Sequence, residues 1–298
     1  MPIANEIQII TATSILGLKP SGVETLASTL LSLGLQKTLS ANDQIIDISD
    51  LNHLYSRNRD QDTKIINGSP LREFTIQLSQ TIQKEQKDNN FLLVLRGDCS
   101  ILIGIMHALK LKGEYGLFFL DAHADFYEPE KSATGEAADM DLAISTGRGP
   151  EILTNIYNLE PYVKDENVVH IGQRDMLEAE KYGSQDIRKT DITCFDEHFV
   201  KTCGVQRTMQ EIKQRLNGSK VKGYWIHFDT DVIDDQSNPA VDYRLPGGLS
   251  VEECQGLLTT LIDNFRIVGM SVTIFNPRLD ADGKIARRLT TLLSDVLH

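Results

Sequence analysis

The sequence predicts an α/β fold with three layers, α/β/α, built on a mostly parallel central sheet. Three observations carry that expectation. Strand-like apolar runs alternate with amphipathic helical runs along all 298 residues. Two of the strands, Phe91–Leu95 (FLLVL) and Gly116–Leu120 (GLFFL), are unbroken apolar runs, as required where helices cover both faces of a parallel sheet. The chemically unusual residues stand immediately after such runs, where the carboxyl ends of parallel strands open onto a ligand crevice.

In chain order, Glu6–Ser14 (EIQIITATS) reads as a strand, and Lys19-Pro20-Ser21-Gly22 turns into a helix over about Val23–Leu35. Gln44–Ile48 is a short strand, and Asn52–Gly68 a polar insertion expected at the surface. Pro70–Lys87 places Leu71, Phe74, Leu78 and Ile82 on one helical stripe. After FLLVL the spacing predicts a helix over Ser100–Leu111. GLFFL follows, and then an aperiodic stretch from Asp125 to about Arg148. Further strands are expected at Asn167–Ile171, Gly223–Phe228 and Ile267–Ile274, with helices at Val205–Leu216, Val251–Phe265 and Lys284–Leu297. No repeat, low-complexity tract or linker interrupts the series, so residues 1–298 are expected to form a single domain.

Composition narrows the function. With 41% hydrophobic and 24% charged residues, a chain of this length buries a core without a disulfide or metal staple, so a metal site would serve chemistry. The net charge is −12 and no Lys/Arg-rich block occurs, which argues against nucleic acid or an anionic membrane as partner. No apolar run approaches the roughly 18 residues of a membrane span. Met1–Ile10 lacks the basic and apolar regions of a secretion signal, and Cys99, Cys194, Cys203 and Cys254 show no paired spacing. Reduced thiols and a cytoplasmic location are expected.

Three strand ends carry the chemistry: Arg96-Gly97-Asp98-Cys99-Ser100, Asp121-Ala122-His123-Ala124-Asp125, and His227-Phe228-Asp229-Thr230-Asp231-Val232-Ile233-Asp234. Alternate residues at a strand end point to one side, so Asp121, His123 and Asp125 can face one centre, as can Asp229 and Asp231. Carboxylates crowded into one cleft repel and raise each other's pKa, and cations resolve the repulsion. Carboxylate and imidazole donors suit Mn²⁺ or a similar divalent ion, and their number suffices for two. The bland alternative, helix caps and a solvated acidic turn, leaves His123 and the shared strand-end placement unexplained.

These residues resemble the arginase/agmatinase (ureohydrolase) superfamily. Its GGDHS, DAHxD and SxDxDxxDP…PxxGGL signatures are similar to RGDCS (96–100), DAHAD (121–125) and HFDTDVIDDQSNPAVDYRLPGGL (227–249). IGQRD (171–175) and FNPRLD (275–280) extend the likeness. The resemblance implies a metal-dependent hydrolase of C–N bonds in linear guanidino or amidino compounds, acting through a metal-bridging hydroxide. Asp121 and Asp229 would bridge two divalent metals. Cys99 and Asp125 would complete one shell, and His123 and Asp231 the other. Asp125 would also hold the hydroxide and pass its proton onward. His227 and Asp234 would orient ligands from behind, with ordinary strand-end hydrogen bonding as the equal alternative. Family members are often trimers or hexamers, so a homo-oligomer is compatible with the resemblance.

Cys99 stands where the family has a metal-binding histidine, as in hydroxyarginine-type amidinohydrolases. Mn²⁺ remains the first expectation, with Zn, Fe or Ni admitted by the softer thiolate. The alternative is an inert buried Cys beside a single metal. The family's guanidinium-binding Glu falls on Ile274, its proton-transferring His on Ala138, and the groups that grip arginine's amino-acid end on Tyr127, Thr134 and Glu136. Leu177 replaces an Asp. These departures predict a substrate other than L-arginine, in a pocket formed by Tyr127, Thr134, Glu136, Arg148 and Ile274, with Glu128, Asp139 and Gln173 as further candidates. Arg148 would read a carboxylate. The rival expectation is a metal-poor pseudoenzyme that binds or senses a small ligand in the same pocket.

Overall fold

The computed structural model describes residues 6–49 and 53–298. Met1–Asn5, half of the segment read for a secretion signal, and Asn52, where the polar insertion begins, lie outside the described residues. Eight strands form one sheet: β1 (Glu6–Thr13), β2 (Ile46–Ser49), β3 (Asn90–Leu95), β4 (Gly116–Leu120), β5 (Val168–Ile171), β6 (Thr193–Phe195), β7 (Tyr224–Asp229) and β8 (Ile267–Thr273). Their order is β2-β1-β3-β8-β7-β4-β5-β6, and every neighbouring pair is parallel.

The apolar runs explain the layering. Along β3, Phe91, Leu93 and Leu95 enter one core while Leu92 and Val94 enter the other. Phe118 and Leu120 of β4 join the first, Leu117 and Phe119 the second. This period-two split of continuous apolar strands puts a helical layer on each face. Helices Leu26–Ser32, Glu197–Arg215, Val251–Asn264 and Lys284–Leu297 close the first core. Helices Gly68–Glu85 and Ile101–Lys112 close the second. Ser250 starts the Val251–Asn264 helix with a full capping box, its hydroxyl accepting from Glu253 N and Glu253 returning the bond. Among the described residues no helix is long and apolar enough to cross a membrane.

The sequence reading departs from the structure at several places, among them the helix expected over Val23–Leu35, which divides into a 3-10 turn (Val23–Thr25) and helices Leu26–Ser32 and Leu35–Thr38, and the unexpected Met176–Tyr182 helix. Strand β6 was not expected, because three residues at a sheet edge carry no periodic signal. The Val205–Leu216 helix begins earlier, at Glu197, and its path breaks at Gly204 (φ 78°, ψ 164°). The end of the polar insertion is not surface: Ile65 and Ile66 are buried, and Asn67 donates to Leu16 O at 3.1 Å.

Gly269 sets the join between β8 and β7. A Cβ there would stand 2.2 Å from the Trp225 ring and 2.6 Å from Leu92 O, and β7 already shifts register between Tyr224 and Trp225. Gly269→Ala is therefore expected to lower the urea midpoint, by about 1–3 kcal/mol of overpacking. Gly256→Ala, in an ordinary helical position where the new methyl would meet Val205 at 3.5 Å, is expected to raise the midpoint through a gain in stability of roughly 0.5–1 kcal/mol. Equal shifts of the same sign would contradict this account.

Candidate metal centre

The functional residues lie on four adjacent strands. Because β8 and β7 insert between β3 and β4, the ends of β3, β8, β7 and β4 open side by side. After β3, Gly97 packs so tightly on Val23 that a Cβ would come within 2.8 Å of its carbonyl. Asp98 pairs with Arg96 at 2.8 Å and accepts from Ser100 N at 3.0 Å, so these two charges build the turn. Cys99 is left facing the cavity. After β4 comes the Asp121–Asp125 loop, with Asp125 in the left-handed region (φ 46°). Strand β7 delivers Asp229 and Asp231, and β8 delivers Thr273 and Ile274.

Asp121 is the hub. It shares a donor cluster with His123 and Asp125, a second with Asp229 and Asp231, and a third with Cys99 and His227, the donor atoms of each lying within 4.8 Å of one another. His123 Nδ1 stands 2.9 Å from Asp231 Oδ2 and 3.6 Å from Asp121 Oδ1. Cys99 Sγ lies 2.8 Å from Asp229 Oδ2 and 3.2 Å from Thr273 Oγ1. Backbone amides fix the carboxylates: Asp231 N donates to Asp229 at 2.8 Å, and Ala122 N to Asp231 at 3.1 Å. His170 pins the loop after β4 through His123 O at 2.7 Å, and Arg174 pins the loop after β7 through Asp231 O at 2.8 Å.

The electrostatics fit cations. Burial, then the carboxylates of Asp121 and Asp141, pushes Asp125 well above the usual carboxylate range. Burial and Asp231 push Asp121 up to about 7. Burial, then Asp231 and Asp121, raise Asp229 well above the usual carboxylate range. Burial and then Asp229 raise the Cys99 thiol. For His123 burial opposes charge, but Asp231 and Asp121 outweigh it and hold the imidazole well above its ordinary value. His227, buried beneath the carboxylates, is depressed to about 3 and is neutral. Among the described residues, Asp121 Oδ2 and both carboxylate oxygens of Asp141 are buried without a hydrogen-bond donor. Acceptors facing acceptors require a shared proton or a cation, so the donor set fits divalent metals.

Above the cluster is a cavity of about 450 Å³. Tyr127, Thr134, Glu136 and Ile274 line it, as do Asp139 and Ala138. Arg148 does not. Its guanidinium pairs with Asp165 at 2.6 and 2.9 Å and lies over Phe126, so the expected carboxylate reader is engaged elsewhere. Asp234 also stands apart, its carboxylate accepting from Gln236 N in the following turn. Glu128 is exposed, and Gln173 is buried against Asp175.

Several residues of the site escaped the sequence reading, among them Asp141, Asp175, Tyr243 and Thr273. Asp141 stands two residues after Asp139, a DxD spacing hidden inside the aperiodic stretch. Asp175 closes IGQRD, accepts from Ala124 N at 3.2 Å and lines the cavity. Tyr243 donates to Glu136 at the rim. No periodicity marks Thr273.

These proton affinities set a pH dependence. In metal-free protein the raised carboxyls are protonated when folded and ionised when unfolded. The folded state thus binds more protons, and stability falls as pH rises from about 4 through about 7. Metal-free protein is expected to lose on the order of a few kcal/mol between pH 5 and pH 8, and Mn²⁺ to restore it at pH 8. Chemical denaturation at both pH values, with and without metal, checks this. A metal-free protein that is more stable at pH 8 would exclude it.

A model of the arginase family matches residues 25–298. Arginase of Staphylococcus aureus (strain COL) is 28% identical over 294 residues, spanning 96% of this chain and 95% of that protein. Arginase of Bacillus subtilis (strain 168) is 31% identical over 221 residues, 74% of this chain and 73% of that protein. The crystal structure of arginase from Bacillus cereus superposes with a TM-score of 0.84 at 27% identity, over 98% of each chain. The rival expectation of a metal-poor ligand sensor does not fit this membership. Eight parallel strands, a carboxylate-rich cluster at their ends and the extent of these matches lead to one conclusion: the chain belongs to the arginase family, the metal-dependent ureohydrolases with a pair of divalent cations at their centre.

Proposed function

We propose that Asp121 and Asp229 lie between two divalent cations, with Cys99 and Asp125 completing one shell and His123 and Asp231 the other. The sharing of Asp121 among three donor clusters supports its place between the cations. The cations supply the charge that makes water nucleophilic at neutral pH and polarises the C=N bond under attack. Asp125 lines the cavity floor and lies against Asp141. It takes a proton from the attacking water and gives it to the leaving nitrogen, and Asp141 shares that proton from behind. Water adds to the amidine carbon, the C–N bond breaks and the amine leaves protonated. The apolar wall of Leu18, Ala138 and Ile274 excludes water from the reacting carbon.

The same cavity favours a cationic guanidino or amidino compound. Glu136, Asp139, Asp175, Glu178 and Asp242 line its upper part. Arg244, the one Lys or Arg among the lining residues, is held by Asp235 at 2.6 and 2.9 Å. Lys19, outside that lining, donates to Tyr243 at 3.1 Å. With Arg148 also engaged, no unpaired guanidinium awaits a substrate carboxylate. L-arginine is accordingly expected to react more slowly than its decarboxylated counterpart, agmatine. The relatives named arginase give that preference no support, and it rests on the lining alone.

Three measurements test the reading. Asp229→Asn is expected to bind fewer than two metals per chain and to lose at least about a thousandfold in kcat/KM, a barrier change of roughly 4 kcal/mol. Glu136→Gln is expected to raise KM for a cationic substrate about tenfold with kcat little changed, the mark of lost uniform binding. Urea release from guanidino compounds and ammonia release from amidino compounds, each of differing far-end charge, rank the substrates. A two-metal protein silent on the whole panel would refute the substrate class, and a protein that takes up no metal would refute the centre.

A further inference from the structure

We propose that His227 is itself a ligand of the cation beside Cys99, its imidazole rising from the sheet floor to supply the nitrogen that position 99 lacks. The proposal rests on the two-cation reading above. Its geometry is independent of the family signatures. A ring nitrogen of His227, Cys99 Sγ and a carboxylate oxygen of Asp121 lie within 4.8 Å of one another. A cation among them reaches all three if each closes by on the order of 0.5 Å, since metal–nitrogen and metal–sulfur bonds are about 2.1 and 2.3 Å. All three residues are buried, and Asp121 Oδ2 has no hydrogen-bond donor among the described residues.

The ring is held as a ligand is held. His227 stacks on Phe119 with centroids 4.9 Å apart and planes 10° apart, which fixes its tilt. Its Nδ1 lies 2.9 Å from Ser271 Oγ, which also accepts from Trp225 Nε1 at 3.0 Å. In the tautomer protonated at Nδ1, the two lone pairs of the serine oxygen take both N–H groups and Nε2 is the nitrogen that keeps a lone pair for a cation. Nε2 meets Thr273 Oγ1 at 3.4 Å, itself 3.2 Å from Cys99 Sγ, so Nε2 stands on the thiol's side of the ring. An imidazole that donates from one nitrogen and presents the other is the usual posture of a metal-bound histidine.

The sequence shows the matching exchange. Where the family signatures read His at 99 and Ser at 227, this chain has Cys99 and His227. The imidazole moves from the loop after β3 to β7, and the short side chain moves the other way. A thiolate, an imidazole and carboxylates together make a softer shell than carboxylates with imidazole alone, which favours Zn²⁺, Co²⁺ or Fe²⁺ over Mn²⁺ at this position.

Cobalt substitution tests the assignment without relying on turnover. Wild-type protein is expected to bind two Co²⁺, with a thiolate-to-cobalt charge-transfer band in the near ultraviolet. His227→Ser is expected to keep one tight Co²⁺, to weaken the other at least a hundredfold, and to change the visible d–d spectrum. In that background Cys99→His, which rebuilds the signature pattern, is expected to restore the second Co²⁺ and abolish the charge-transfer band. The restored stoichiometry also shows that the variant is folded. Two tight cobalt ions with an unchanged d–d spectrum in His227→Ser would overturn the proposal and leave the two-cation reading standing. Wild-type protein that binds no Co²⁺ at all would overturn both.

Discussion

Mutual repulsion among buried carboxylates is the constraint on which the rest of this structure depends. Asp121, Asp125, Asp229 and Asp231 are at most 5% exposed, and Asp141 is fully buried beside them. An ionised carboxylate taken out of water costs several kcal/mol even after relaxation. Nothing in the fold's own packing repays that cost, because the apolar cores lie below, along the strand bodies. The sheet's two covered faces supply the stability that lets the strand tips carry such a load. The load in turn specifies what must bind there: positive charge, as protons or as metal ions.

Strand order converts that load into a site. Residues 91–125 deliver Cys99 and the DAHAD segment from β3 and β4, which are not neighbours. The gap between them is filled only by β7 and β8, from the last third of the chain. Asp229, Asp231 and Ile274 therefore arrive from strands that also wedge the first two apart. Backbone strain marks the same place. Asp125 and Ile274 have φ of 46° and 69°, and a β-branched residue at positive φ is a genuine outlier. Ile274 is held there by its N–H on Gly97 O at 2.7 Å, which ties β8 to the Cys99 turn.

Much of this was legible in the chain because the governing signals are local. Continuous apolar runs declared β3 and β4 buried on both faces, and DAHAD and FDTD stand one residue beyond an apolar strand by simple spacing. What failed needed long-range information. The three-residue β6 exists only because β5 offers it an edge. Arg148 carries a positive charge in a promising loop, yet its partner Asp165 lies 17 positions on, in a turn that no pattern aligns with it. Asp141 looked like loop polarity, since only the fold brings it against Asp125. The resemblance gave His227 a supporting place behind the ligands, with ordinary strand-end hydrogen bonding as the equal alternative, because it stands one pleat below Asp229. The distance from that pleat to Cys99 is a property of the twisted sheet, not of the sequence.

Charge and softness at this centre are set by different residues. Carboxylate number fixes how much positive charge the cluster demands, and that number is unaffected by the Cys99 and His227 exchange. Donor identity fixes which cation meets the demand best, and there the exchange acts alone. The exchange also shifts the nitrogen donor from a loop, which adjusts, to a central strand locked by Phe119 and Ser271, which does not. A rigid imidazole on β7 facing a short thiol in the turn after β3 leaves less freedom in metal–donor distance than an imidazole on a loop. With His227 as a ligand, the centre would discriminate among cations by size as well as by softness, without altering the electrostatic need for positive charge.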